Sequence, residues 1–282
     1  MHYISYIFCF IFLLRVGGVP SGFKIKNARY VVEDEYPFIV SLERQITIAF
    51  NGTIQAEENV HICTCVALTQ IWMLTAGHCI DYTVPKRNIS DNLQVKTVIR
   101  YGSQNTTYTA DVLSTLLHPS SKDPELKNHN NIGLLRTVTI YLKQFVRIST
   151  LDINNLGGRE VMLAGYKKMN LSRISVGGLI VRKPLELLSI EIVRHDTKDP
   201  TTLPGVCVAR NCTSTAFTTC PDDSGGPMLH PTGVLGINSI SLENMKLCSA
   251  VDKNSLIDMD VIIPVRLHAQ WIADNVKAAD KR

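Results

Sequence analysis

The sequence predicts an all-β fold, and three observations carry that prediction. Apolar residues fall in short runs rich in Val, Ile, Thr and Leu, each bounded by Asn, Asp, Pro or Gly, the punctuation of strands and turns. Only one stretch near the C-terminus has helical spacing. The 282 residues are 45% hydrophobic and 19% charged, a balance that excludes a disordered chain, a collagen and a coiled coil. Against about 100–200 residues per domain, the length allows two small domains or one large one.

The runs follow in order: PFIVSL (37–42), QVKTVIRY (94–101), ADVLSTLL (110–117), IGLLRTVTI (132–140), EVMLAG (160–165), LLSIEIV (187–193) and GVLGINSI (233–240). Many short strands with turn signals between them indicate a sandwich or a barrel. From Val265 to Lys277, Leu267, Trp271, Ile272 and Val276 share one stripe, which predicts an amphipathic helix closing the chain. No internal repeat or low-complexity linker interrupts this order. The net charge is +4, with no basic run carrying interleaved aromatics, so nucleic acid is not an expected partner.

Before the first strand, Tyr3–Leu14 (YISYIFCFIFLL) is apolar and is followed by Arg15 and the small residues Val16-Gly17-Gly18. A membrane-spanning helix needs about 20 apolar residues, so the run is too short to stay in a bilayer. It reads as a signal peptide over 1–18, the alternative being a buried N-terminal helix. Acceptor sequons at Asn51, Asn88, Asn105, Asn170 and Asn211 also suggest export and glycosylation. The expected location is secreted and extracellular, with no membrane contact after processing. Of eight cysteines, Cys9 would leave with the signal segment, and eight minus one leaves an odd seven for an oxidising compartment.

Three segments carry chemistry: Ile71-Trp72-Met73-Leu74-Thr75-Ala76-Gly77-His78-Cys79, Asn130-Asn131-Ile132-Gly133-Leu134-Leu135 and Cys220-Pro221-Asp222-Asp223-Ser224-Gly225-Gly226-Pro227. In this order they resemble the histidine, acidic-residue and nucleophile motifs of trypsin-like serine proteases, a resemblance that spans nearly the whole mature chain. It implies two antiparallel six-stranded β-barrels packed face to face, with a C-terminal α-helix. The expected boundaries are a propeptide over 19–24 and a peptidase-like domain over 25–282. Within that domain the first barrel covers 25–145, the second 146–264 and the helix 265–278. The resemblance puts His78 and Asn131 on the first barrel and Ser224 on the second, around a cleft.

By the resemblance Ser224 is the nucleophile and His78 the general base, but the third position holds Asn131 where the family has aspartate. A carboxylate accepts from the imidazole Nδ1–H and stabilises the imidazolium formed during attack. An asparagine has no charge, and its NH₂ can donate to Nδ1 and leave the proton on Nε2, where the ring cannot accept from serine. In the triad this change costs roughly 10⁴ in kcat, or about 5–6 kcal/mol of transition-state stabilisation. A second departure is Asp222, at the family's oxyanion-hole glycine, where the backbone N–H of Ser224 also contributes; its carboxylate would oppose a developing oxyanion. The alternative is an active enzyme in which Asp81 or Asp123 reaches His78.

The resemblance also implies activation by a cut after Lys24, which would free Ile25 to pair with Asp223. A trypsin-like protease is the expected activator. The pocket floor holds Thr218 and its walls Ser239, Ser241 and Asp260, without the acid at the floor that marks trypsin specificity. The family frame further implies disulfides Cys63–Cys79, Cys220–Cys248 and Cys207–Cys212. Another common bridge is absent at both its places, Val161 and His230. Cys65 remains over, expected as a buried thiol in a monomer, with a Cys65-linked dimer as the alternative. A metal reading would recruit Cys63, Cys65, His78 and Cys79; it is set aside because the first and last are better used as a disulfide, so no metal or cofactor is expected.

Two readings of function follow. The first is a secreted serine protease homologue with weak or no proteolysis that binds protein or peptide substrates or partners. The second is a working serine endopeptidase with an atypical triad. A third, weaker reading gives the main role to glycans or to Cys65-linked assembly.

Overall fold

The computed structural model describes residues 26–30, 34–102, 106–123, 130–156, 160–166, 185–193, 206–210, 224–239 and 258–279. The first half opens with β2 (Ile39–Phe50) and β3 (Thr53–Ala67), followed by β4 (Trp72–Ala76), β5 (Arg87–Ser90), β6 (Leu93–Gly102), β7 (Thr107–Leu117) and β8 (Ile132–Thr137). Their pairings run β2-β3-β4-β8-β7-β6, and β6 pairs back to β2, so six strands close into a barrel with β5 added outside β6. The second half uses β9 (Glu160–Tyr166), β10 (Leu185–Val193), β11 (Val206–Arg210), β12 (Pro227–His230), β13 (Gly233–Asn238) and β14 (Asp258–Pro264). Here β10-β11-β14-β13-β12-β9 closes through the β9–β10 pairing, and β1 (Lys26–Tyr30) joins outside β10. The two antiparallel six-stranded barrels and the C-terminal helix expected from the sequence are the architecture of the chain.

Each of the seven strand-like runs overlaps an observed strand. The β2–β3 hairpin was less legible. It turns at Asn51-Gly52, with φ of 49° and 75°, between the paired residues Phe50 and Thr53. A two-residue turn with both φ values positive matches strand twist, and Asn-Gly takes it at least cost. The arm it makes carries exposed Ile48, Phe50 and Ile54.

Strands β4 and β8 are buried along nearly their whole length inside the first half, and β4 also contacts β13 of the second. Trp72–Ala76 are all buried, as are Ile132–Leu135. One buried cluster joins Leu42, Leu74, Ile99 and Leu134 to Val234, Ile237, Ile263 and Ile272. A smaller cluster of Ile153, Leu163, Met228, Leu235 and Ile262 belongs to the second half. Burying each such side chain contributes about 1.5–3 kcal/mol.

The C-terminal helix departs from its expected form. Val265–His268 is a 3₁₀ turn, and the α-helix proper, α2, runs Ala269–Ala279. A 3₁₀ turn advances its side chains faster than an α-helix, so Leu267 leaves the stripe and is 58% exposed, while Ile272 is buried and Trp271 and Val276 pack on the core. His118 stands edge-on to both His268 and Trp271, with ring centroids 5.0 Å apart in each case, and ties the end of β7 to this segment.

Candidate functional site

The register of β4 against β8 brings the first two site residues together. Trp72 pairs with Arg136 and the ladder ends at Ala76 opposite Ile132, so the next residues out are Gly77 and Asn131. Helix α1 (Gly77–Asp81) starts at that point, and its N-cap, Ala76, has no side chain able to cap it. The first N–H groups of a helix lack internal partners. Asn131 supplies one, its Oδ1 accepting from the His78 backbone N–H at 2.6 Å.

That contact fixes the amide. A backbone N–H can only donate, so the atom facing it is the oxygen and the other end of Asn131 is the NH₂. The NH₂ lies 2.9 Å from His78 Nδ1 and donates to Ser239 Oγ at 2.7 Å. His78 Nδ1 is therefore an acceptor, and the ring proton sits on Nε2. Gly77 leaves room for this seating: a Cβ there would stand 2.7 Å from Asn131 Oδ1 and 2.9 Å from Ile132 N.

Ser224 is 7% exposed and is held by backbone contacts. Its carbonyl accepts from Thr64 N at 2.8 Å, and Gly225 N donates to Asn238 O at 2.7 Å. The disulfide Cys63–Cys79 ties the strand of Thr64 to the helix of His78, so a bond and a hydrogen bond connect the histidine segment to the serine segment. Among the described residues no hydrogen bond joins Ser224 Oγ to His78, and neither Asp81 nor Asp123 bonds the ring.

Burial holds the His78 pKa below the ordinary value of 6.5, and the nearby Asp81 carboxylate offsets this only in part. Burial lowers the His118 pKa as well. A histidine whose folded pKa is depressed takes up a proton on unfolding, so its contribution to stability is full above about pH 6.5 and is lost as pH falls through its folded value. The urea midpoint should therefore fall between about pH 7.5 and pH 5.5. His118→Phe, which keeps an aromatic edge beside Trp271, should flatten that fall; an equal slope in the variant would remove His118 as a cause.

Sequence reasoning placed Ser239 in the pocket wall. The structure puts its hydroxyl on Asn131, a partnership across 108 residues that spacing alone does not reveal. Asp260 and Cys207 are placed only as backbone, in β14 and β11, where Cys207 pairs with Val261 and Asp260 with Val208. The β12–β9 register pairs Met228 with Leu163 and Leu229 with Met162; continued by one step it sets His230 across from Val161, the two places of the missing bridge. Asn51 and Asn88 are both exposed. Lys24, Ile25, Thr218, Asp222, Asp223, Ser241, the disulfides Cys220–Cys248 and Cys207–Cys212, and the sequons at Asn105, Asn170 and Asn211 involve positions outside the described residues, as does the segment 1–24.

The Cys63, His78 and Cys79 ligand atoms lie within 4.8 Å of one another. Both sulfurs are spent on each other in the disulfide, which leaves the imidazole alone. Cys65 is unpaired and fully buried, and burial pushes its thiol pKa up to about 12, the hydrogen bond with Thr75 opposing this only in part. Only the thiolate is nucleophilic. Iodoacetamide at about pH 8 should therefore leave Cys65 unmodified in the folded protein and alkylate it in denaturant, with peptide mass spectrometry as the readout. Modification of the folded protein would contradict the burial.

A family model described as Trypsin matches residues 35–272. Among solved structures, the chain is similar to neuropsin, a serine protease expressed in the limbic system of mouse brain, at 18% identity and a TM-score of 0.57. The match covers 88% of this chain and 98% of that one. At that identity the likeness shows the fold alone. No curated protein matches the chain.

Proposed function

The chain belongs to the trypsin family of serine proteases, and from that membership we propose that it is a secreted homologue that binds protein or peptide partners and cleaves peptide bonds weakly or not at all. The observation that carries this reading is the Asn131 amide on His78. A working base must present a bare Nε2 to the serine hydroxyl and then carry the proton as an imidazolium. In this chain the NH₂ of Asn131 faces Nδ1 at 2.9 Å, so Nε2 carries hydrogen before any substrate arrives. No carboxylate among the described residues bonds the ring to stabilise its charged form, and burial already disfavours that form.

Asp222 weakens the same reaction from the other side, by setting a carboxylate in the sequence where the family has a glycine serving the oxyanion. In this reading export follows from the N-terminal segment, and a trypsin-like protease cuts after Lys24 so that Ile25 reaches Asp223.

The test is active-site labelling. The zymogen is cut after Lys24 and treated with a fluorophosphonate, which reacts only with an activated serine. The expected result is labelling no faster than that of Ser224→Ala. Prompt modification of Ser224 would overturn the proposal and favour a functioning endopeptidase with an atypical triad.

A further inference from the structure

The β2–β3 hairpin carries apolar side chains uncovered at its tip. Phe50 is 58% exposed and Ile54 61%, Ile48 is exposed beside them, and so is every residue from Asn51 to Glu58. Side chains two apart on a strand share a face, so Ile48 and Phe50 stand on one side of the arm. Thr53 is paired directly across from Phe50, and Ile54 is paired with Ala49 on the opposite side. A contiguous apolar surface of this kind gathers partners or aggregates. The outer edge of β3 adds to the hazard, because its pairing with β4 is confined to Val66 and Ala67, which leaves 53–62 without a neighbouring strand on that side among the described residues.

The residues that turn the hairpin also spell Asn51-Gly52-Thr53, an N-glycosylation sequon. Asn51 and Gly52 have φ of 49° and 75°, a Cβ placed on Gly52 would meet nothing within 4 Å, and the Asn51 amide has no partner among the described residues. By contrast Asn88 uses its Oδ1 to accept from Gln94 Nε2 at 2.9 Å, across the β5–β6 pairing. A second copy of the chain is a poor cover for the arm. The free edge 53–62 has its midpoint between Glu57 and Glu58, so two copies paired antiparallel along it would set these acids against each other, which is destabilising.

We infer that Asn51 is an N-glycosylation site and that its first N-acetylglucosamine lies back over Phe50, so that the chain's own glycan covers the arm. Export, as proposed above, brings the chain to the sugar donor, a lipid-linked oligosaccharide diphosphate. Asn51 Nδ2 loses a proton and bonds to the anomeric C1 as the C1–O bond to the diphosphate breaks, and the diphosphate leaves with that electron pair. The asparagine keeps its backbone and so the positive φ that the turn requires. Phe50 is the residue before Asn51 and the largest apolar group at the tip. The sugar has an apolar face of C–H groups and an acetyl methyl, and the negative face of an aromatic ring attracts such C–H groups. The remaining sugars stay in water and screen the open edge of β3 from other strands.

The full chain is expressed in eukaryotic cells, and medium and cell fractions are compared by peptide mass spectrometry. The secreted protein should carry a glycan on Asn51. Trimming the folded protein to one N-acetylglucosamine with an endoglycosidase should leave the urea midpoint unchanged. Complete removal by an amidase should raise the unfolding constant about two- to tenfold. Thr53→Val, which destroys the sequon and keeps a β-branched residue in the strand, should do the same. In Phe50→Ser, with Asn51 still glycosylated, removal of the glycan should have no such effect. The glycosylated chain should sediment as a monomer.

An uncleaved and unglycosylated chain held inside the cell would defeat the export reading itself. A secreted chain with a bare Asn51 would overturn the site and leave export intact. A glycan whose removal leaves the midpoint unchanged, or whose effect is lost on trimming or survives Phe50→Ser, would overturn the packing on Phe50, and a dimer of the glycosylated chain would give the arm to a second copy.

Discussion

Asn131→Asp should raise the rate of fluorophosphonate labelling at Ser224 by up to about 10⁴-fold, the factor that the reverse exchange removes from kcat in a serine triad. The geometry is ready for it. An aspartate in the same rotamer keeps the acceptor for the His78 backbone N–H, and its second oxygen accepts from His78 Nδ1–H where the amide now donates. Ser239 Oγ, which now accepts from the amide, is a hydroxyl and so can also donate to a carboxylate at that position. The proton leaves Nε2, the ring can receive from serine, and a charge is present to stabilise the imidazolium.

Asp222 sets the ceiling on this gain, so Asn131→Asp with Asp222→Gly should exceed the single variant. One missing oxyanion donor costs about 10²–10³ in kcat, which bounds the second increment. If neither variant labels faster than the natural chain while both fold, the Asn131 amide is not what limits the site.

Gly225→Ala should be among the most damaging single substitutions in the chain, at about 4 kcal/mol, and should dismantle the serine segment. Gly225 has φ of 83°, in the left-handed region that an L side chain enters at a cost of about 1–2 kcal/mol. An added Cβ would also run into the Thr64 carbonyl oxygen and Thr75 Oγ1, both on buried strands that hold the first barrel closed. Thr64 N is the donor that holds the Ser224 carbonyl, so relieving the clash moves that anchor. The expected result is a large drop in the urea midpoint. A variant within about 1 kcal/mol of the natural chain would show that the serine turn is more compliant than its packing indicates.

How much of this was legible depended on the range of the physics involved. Strands such as 94–101 and 132–140 announce themselves because period and β-branching are local. The β2–β3 arm was less readable, although its Asn-Gly pair is a hairpin signal, because that pair also begins a glycosylation sequon and 53–67 mixes acids with apolar residues. Leu267 misled because a stripe counted at α-helical period does not hold through a 3₁₀ turn. The pair Cys63–Cys79 and the buried Cys65 followed from resemblance, and the structure carries both.

With the two barrels supplied by resemblance, the sequence by itself determined the all-β class, the order of the three motifs and the identity of the residue at each site position, including the asparagine where the family has a carboxylate. Those are properties of residue type and spacing. Only the tertiary structure decided which way the Asn131 amide points, because that depends on an uncapped helix N–H 53 residues away and a hydroxyl 108 residues away. The direction of a hydrogen bond is set by the groups on both of its sides, and folding alone brings those groups to one place.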